Sequence, residues 1–210
     1  MEPTQLGTDI LQDDEDRESN KAGQVKMRFL FSLLAATAVA SAIPTATIIK
    51  RDATAVVDAV NTIASQMVVL NNTITSYNGG IQGTLTALKI EVESVKLSCD
   101  LRDGISTTQD AANFTNAESL TVASAFINLQ PQIFSTLNNI VAKKPKFDTG
   151  LLGIGSLAFL VKSNLQQQKD LSAQLGNAVA AKLTPLYAQL APMINKQIAD
   201  AFDKAIAAYN

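Results

Sequence analysis

Histidine is absent from this 210-residue chain, and Cys99 is its only cysteine. Those two facts remove most catalytic chemistry at the outset. A Ser–His–Asp or Cys–His pair needs an imidazole to take a proton near neutral pH. A structural zinc site needs several thiolates or imidazoles, so any metal would rest on carboxylates, and these are poorly spaced. Glu91 and Glu93 are two residues apart, which on a helix sends them to different sides. Asp100 and Asp103 are three apart but lie beside Arg102 near an expected helix end. Asp200 and Asp203 stand beside Lys196 and Lys204, the pattern of a solvated face with local ion pairs. Gly150-x-x-Gly153-x-Gly155 lacks the GxGxxG order of a phosphate-binding turn and follows no expected strand. No catalytic residue, cofactor or metal is therefore assigned, and the chain reads as a non-enzyme. Cys99 falls on an apolar helix row and reads as a small buried hydrophobe.

The composition excludes a further class of partner. Seventeen basic and 19 acidic residues give a net charge of −2 with no basic block, which argues against nucleic acid. Hydrophobic residues make up 47% of the chain, enough for a real core. Charged residues are only 17%, below the roughly 25% usual in globular domains, and Ser, Thr, Asn and Gln take their place.

The N-terminal region reads as targeting sequence. Lys26-Met27-Arg28, the apolar run Phe29 to Ala40 and the small-x-small site Ala40-Ser41-Ala42 have the order of a secretory signal over residues 27–42, cleaved after Ala42. The run is too short for a good membrane span. Residues 1–26 are polar, with the acidic cluster Asp13-Asp14-Glu15-Asp16. Either translation starts at Met27 and they are a gene-model extension, or they form a disordered acidic tail. Residues 43–51 end in Lys50-Arg51 and resemble the short pro-segments cut by Golgi proteases, with cleavage after Arg51. The mature domain is then 52–210, within the single-domain range. No apolar tail leads up to Asn210, so a C-terminal lipid anchor is not expected.

The elements that must position any site are helices. Val56, Val60, Ile63, Met67, Leu70, Ile74 and Tyr77 alternate spacings of four and three, the stripe of an amphipathic helix, and Gly79-Gly80 ends it. Ile81, Leu85, Leu88, Val92, Val95 and Cys99 keep the same rhythm. A second row, Ile90, Leu97, Leu101 and Ile105, gives that helix two apolar sides and predicts a central place. Residues 106–115 read as a connection. Thr115 with Glu118 is a capping box opening a third helix through Val122, Phe126, Leu129, Ile133, Leu137 and Ile140, with a kink expected at Pro131. Its stretch 119–142 has no charge, but Asn128, Gln130, Gln132, Asn138 and Asn139 argue against a stable membrane span. Lys143-Lys144-Pro145-Lys146 closes it. The run Gly150 to Val161 is almost wholly apolar with three glycines. It opens a fourth helix, either as a closely approached start or as a flexible gate over an apolar cavity. Thr184-Pro185 starts a fifth, carrying Leu190, Ile194, Ile198, Phe202 and Ile206. The fold class is all-α, an antiparallel bundle of about five amphipathic helices. Sequons at Asn71 and Asn113 are candidate glycosylation sites.

The segments RDATAVVDAVNTIASQMVVLNNTITSYNGG, LQPQIFSTLNNIVAKKPKF and AKLTPLYAQLAPMINKQIADAFDKAIAAY, within residues 51–209, resemble the fungal hydrophobic surface-binding protein A family, which includes cell-wall galactomannoproteins. The resemblance implies a secreted, extracellular or wall-associated protein that adsorbs to hydrophobic surfaces through amphipathic helices, with an extracellular hydrolase as a further candidate partner. It equally implies the alternative, a bundle that carries a fatty acid or similar long-chain lipid in an internal cavity. The apolar contact residues expected are Ile63, Met67, Leu88, Val92, Val95 and Phe126 from the first three helices. Ile133 completes the third helix, and Leu157, Val161, Leu165, Ile194 and Ile198 come from the last two. Small residues such as Ala64, Ala87, Ala123, Ala158 and Ala201 would leave space between them.

The extracellular protein is expected to begin at Asp52, or at Ile43 if the dibasic site is not cut. Edman sequencing of secreted material checks this, and a start at Met1 or Met27 would refute it.

Overall fold

Every member of the row from Val56 to Tyr77 is buried in the computed structural model, which describes residues 53–150 and 155–210. The expectations on residues 1–52, including Ala42 and Arg51, lie outside the described residues, as does Gly153. The elements are α1 (Ala53–Ser76), α2 (Gly80–Asp110), α3 (Asn116–Ala142), α4 (Lys144–Asp148), α5 (Ala158–Lys182), α6 (Pro185–Ala188) and α7 (Ala191–Ala208). Five are long, α4 and α6 are single turns, and no strand is found among the described residues. The fold is the helical bundle that the periodicity predicts.

The long helices close into a ring. α1 packs on α2 and α3, α2 on α5, α5 on α7, and α7 back on α3. Consecutive long helices alternate in direction, but an odd-numbered ring cannot alternate all the way round. Asn71 and Thr75 of α1 meet Ser135 and Asn139 of α3 in ascending order, so α1 and α3 run parallel. Glu91 and Ser94 of α2 meet Asn164 and Gln168 of α5 in the same sense. Gln130 and Ile140 of α3 meet Gln197 and Tyr209 likewise.

No helix occupies the centre, and here the expectation for α2 fails. It holds a ring position like the others. Its buried row is Ile90, Leu97, Leu101 and Ile105, while Ile81, Leu85, Leu88, Val92, Val95 and Cys99 face outward. Cys99 is therefore exposed, not a buried hydrophobe. α2 also runs on to Asp110, through the stretch expected as a connection. The capping box forms as expected. Thr115 N–H donates to Glu118 Oε2 at 2.7 Å and Glu118 N–H to Thr115 Oγ1 at 3.3 Å. α3 continues unbroken through Pro131. The expected last helix is split into α6 and α7, because Pro192 in the first turn of α7 has no N–H to continue the ladder.

The two ends of the ring differ. At one end Tyr77 stacks on Phe147 with centroids 4.6 Å apart, and Tyr209 meets Phe147 edge-on at 6.2 Å. Tyr209 Oη donates to the Ile140 carbonyl at 2.7 Å. Gly79 and Gly80, at φ 73° and 68°, turn the chain beneath this cluster, and a Cβ on Gly79 would come within 2.9 Å of the Lys146 carbonyl oxygen. Lys143 Nζ donates to the carbonyls of Thr75 and Tyr77 at 2.6 and 2.8 Å, satisfying the C-terminus of α1. At the other end Lys182 does the same for α2, through Gln109 and Ala111.

Burial pushes the Tyr209 phenol well above its ordinary value, and the nearby Asp148 charge adds to this, as does Tyr77. Folding thus favours the neutral phenol. That contribution is intact below the unfolded value of about 10 and is lost as pH rises beyond it. Tyr209→Phe is expected to cost about 1 kcal/mol at pH 7 through the lost hydrogen bond. It should also flatten the fall in stability above pH 10, as read by urea unfolding at several pH values.

Candidate functional site

The ring encloses apolar space in separate pieces. A first cavity, near the aromatic end, lies among Leu70, Ala87, Ile90, Leu157, Val161 and Leu165. A second, further along the axis, is lined by all five long helices, including Ile63, Met67, Leu97, Phe126, Ile133 and Ile198. Gln168 of α5 lines both. Its amide nitrogen reaches the Ser94 carbonyl at 3.4 Å, a long bond. A third cavity sits at the corner of α3, α6 and α7 and shares Phe126, Gly176 and Asn195 with the second. Each holds about 30 Å³, roughly one water's share of volume.

Nine of the twelve expected contact residues therefore point inward. Ile63, Met67, Phe126, Ile133 and Ile198 surround the second cavity. Leu157, Val161 and Leu165 surround the first, and Ile194 lines the third. Leu88, Val92 and Val95 do not join them. They are 59%, 67% and 51% exposed, on the outer side of α2. The reason is angular, since a helix turns about 100° per residue. Val92 thus stands on the opposite side from Ile90, and α1 and α5 both pack on the Ile90 side. The internal cavity expected for a long-chain lipid is likewise replaced by smaller spaces in series.

The lining is mostly apolar, with a few neutral polar groups and one carboxylate. No Lys or Arg lines any of these three cavities. Glu91 lines the first, where its Oε2 accepts from Asn164 Nδ2 at 2.7 Å. Gln168, Ser172 and Asn195 give the second its polar atoms. Glu91 and Glu93 diverge as expected, and Glu93 is buried with Lys89 at 3.6 Å. Lys196 pairs with Asp200 at 2.7 Å, whereas Asp203 pairs with Lys169 of the neighbouring α5 at 2.5 Å. Among the described residues no three His, Cys, Asp or Glu side chains gather as metal ligands.

Of the two readings of the run from Gly150, the close approach fits this glycine, since a Cβ there would overlap the Tyr77 hydroxyl and Leu157. Gly150 belongs to a closely packed corner, not to a gate. One feature was not anticipated, an exposed apolar corner made of Leu120 and Ile127 of α3, Leu186 of α6, Leu190, and Met193 of α7. Residues 119–142 and 183–195 carry no charged side chain at all. This corner is also loosely held. α6 has no buried residue, and the two buried residues of α7, Phe202 and Ala205, lie in its second half.

The match to hydrophobic surface binding protein A covers residues 53–181. The chain belongs to that family. It is similar to cell wall mannoprotein 1 of Aspergillus fumigatus, at 27% identity over 183 residues, 87% of this chain and 60% of that protein. The counterpart from Aspergillus flavus is 26% identical over 186 residues, 87% of this chain and 63% of that protein. The chain thus spans less than two thirds of the length of these curated relatives. Its fold is similar to that of AfMP4p in complex with palmitic acid, with a TM-score of 0.70 and 24% identity over 76% of this chain and 100% of that one. It is also similar to ligand binding domain 1 of Penicillium marneffei MP1 protein complexed with arachidonic acids, with a TM-score of 0.67 and 19% identity over 77% and 99%. At these identities the likeness is one of fold.

The two sequons of this family member sit in unlike places. Asn71 lies within α1, its Nδ2 donating to Ser135 Oγ at 3.2 Å and its Oδ1 accepting from Asn139 at 2.8 Å. A glycan there would break the α1–α3 contact. Asn113 is exposed in the connection between α2 and α3. Peptide mapping after enzymatic deglycosylation in water enriched in heavy oxygen is expected to label Asn113 and leave Asn71 unlabelled.

Proposed function

We propose that this protein is a secreted, non-enzymatic binder of apolar matter at or outside the cell wall. The uncharged corner of α3, α6 and α7 adsorbs to hydrophobic surfaces, and the lumen of the ring takes up an acyl chain through that corner. The observation that carries this reading is the continuity from exposed apolar corner to third cavity to second cavity. It leads from solvent to the centre without passing a charged side chain. The named complexes of fold-related proteins with palmitic and arachidonic acids support it, as does the family's defining property.

In its present state the lumen is too small for such a ligand. Pockets for drug-sized molecules run from about 300 to 1,000 Å³, ten times or more the cavity of about 30 Å³ at the centre. Uptake therefore requires the first half of α7 to separate from α3 and α5. Its second half is held by Phe202, by the Lys169–Asp203 pair and, just beyond the helix, by Tyr209. The motion is thus a swing about the aromatic end, drawn from the weakly packed part of the molecule. Ten buried methylenes would return about 8 kcal/mol gross, set against the cost of opening. Gln168, Ser172 and Asn195 are the neutral hydrogen-bonding groups that could meet a head group. A coated surface could in turn present a docking site for an extracellular hydrolase.

Fluorescent fatty-acid titration should give saturable binding at micromolar lipid. Val161→Trp, which fills the first cavity, should weaken a long acyl chain at least tenfold, while Val92→Trp on the outside should not. Leu190→Asp with Met193→Asp should lower adsorption to an alkylated solid several-fold. Absence of saturable binding, or equal loss in both tryptophan variants, would end the lumen reading and leave adsorption alone.

A further inference from the structure

The outer ridge of α2 is absorbed by neither the lumen nor the adsorbing corner. Ile81, Leu85, Leu88, Val92 and Val95 are all more than half exposed, and Cys99 is exposed at the end of the row. Their spacing is 4-3-4-3-4. A helix facing a globular core shows a stripe about 100° wide or more, whereas a strict 3.5-residue repeat is the narrow seam of a two-helix coiled coil. In that frame Leu85, Val92 and Cys99 take a positions, and Ile81, Leu88 and Val95 take d positions. The ridge is about 27 Å long at 1.5 Å per residue. An isolated helix of that length would be marginal, but here the bundle already holds it.

We propose that two copies of this chain associate through this ridge, with their α2 helices parallel and in register. Charge selects the second copy and the direction. Lys89 and Lys96 occupy e positions on one flank, and Glu91 occupies a g position on the other. In a parallel, in-register pair a g residue lies beside the e residue five positions on in the other helix. Glu91 then meets Lys96 of the partner subunit, and two-fold symmetry repeats the pair. The antiparallel arrangement centred on the same ridge brings each Lys89 to the partner's Lys89 and each Glu91 to the partner's Glu91, which is repulsive on both flanks. Glu91 is engaged by Asn164 through Oε2 alone, and the present partner of Lys96 is the neighbouring Asp100 at 3.0 Å. Both groups flank the seam by register. α1 packs on the side of α2 away from the ridge, and α5 meets the Glu91 flank through Asn164, so the two rings would stand back to back. The adsorbing corner differs in having no charge to specify a partner.

Cys99 reports the direction. Only the parallel, in-register pair sets Cys99 against the partner's Cys99; the antiparallel one sets it against the partner's Ile81. The experiment is sedimentation of the full chain, expressed in a secretory host, over a range of micromolar concentrations. The expected result is a reversible dimer. Val92→Glu should make it monomeric with an unchanged dichroism spectrum and unfolding midpoint. Lys96→Glu should weaken the dimer at least tenfold, and Glu91→Lys combined with Lys96→Glu should restore it. Copper phenanthroline with oxygen should join the dimer through Cys99, two thiols giving one disulfide as oxygen takes up two electrons and two protons. A monomer at every concentration overturns the proposal. So does a dimer that survives Val92→Glu, or one that Cys99 does not cross-link. A chain that stays monomeric yet loses binding to lipid vesicles on Val92→Glu assigns the ridge to a lipid interface and overturns it as well.

Discussion

Five long helices that each pack on two neighbours leave no helix at the centre, and most of what is particular to this molecule follows from that. A central helix would fill the axis with its own backbone and side chains. A ring must fill the axis from five separate stripes, each contributing the ends of its side chains. Leu, Ile, Val, Met and Phe from opposite sides meet there imperfectly. The residue of that misfit is the set of small spaces around Gln168. Native interiors are close-packed, and spaces of this size cost little individually. Their placement in series matters more, because each shares lining residues with the next.

The ring is closed firmly at one end; at the other, Lys182 and Phe114 tie the end of α5 to the α2–α3 connection, but the corner of α6 and the start of α7 is loosely held. Tyr77, Phe147 and Tyr209 bring three aromatic rings together, and Lys143 ties the end of α1 to the end of α3. At the far end α6 is a single turn with nothing buried, and α7 begins after an interruption. Asn195 contacts Asn177 at 3.3 Å on an exposed edge, and its side chain sits where a Cβ on Gly176 would fall. Opening free energy is thus distributed unevenly along the axis. The low-stability end coincides with the uncharged, apolar outer surface, so the place that can part is also the place an apolar phase would wet.

Helix identity and family were legible in the sequence, because the four-three spacing and the capping box state local physics directly. Thr115 and Glu118 bond each other whatever lies elsewhere in the fold. Gly79-Gly80 end α1 for the same local reason. The route around the ring was not legible. Nothing in the apolar rows of α1 and α3 says that they run parallel and adjacent, since a stripe specifies a face and not the neighbour that covers it. The aromatic cluster was equally hidden. Tyr77, Phe147 and Tyr209 are separated by 70 and 62 positions in the sequence, and only the ring brings them together. The loose corner left a trace that could have been read, the charge-free runs 119–142 and 183–195, but it became meaningful only when the two runs proved adjacent.

The twelve proposed contact residues divide at α2, and the division shows what periodicity leaves open. That helix has two apolar rows on opposite sides, and hydrophobicity favours the outer one, which is longer and more regular. The structure buries the other. Its buried set includes Gly83, Ser94, Ser98, Gly104 and Thr108 beside Ile90, Leu97, Leu101 and Ile105, a wide band with small members. A helix with two ring neighbours needs that width, because α1 and α5 approach it from different directions. Close approach also needs the small residues: a Cβ on Gly104 would sit 3.3 Å from Ile63 Cδ1. The outer row is narrow, free of glycine and serine and bordered by charge, which suits one straight partner. Width and side-chain size, more than total hydrophobicity, therefore decide which face turns inward.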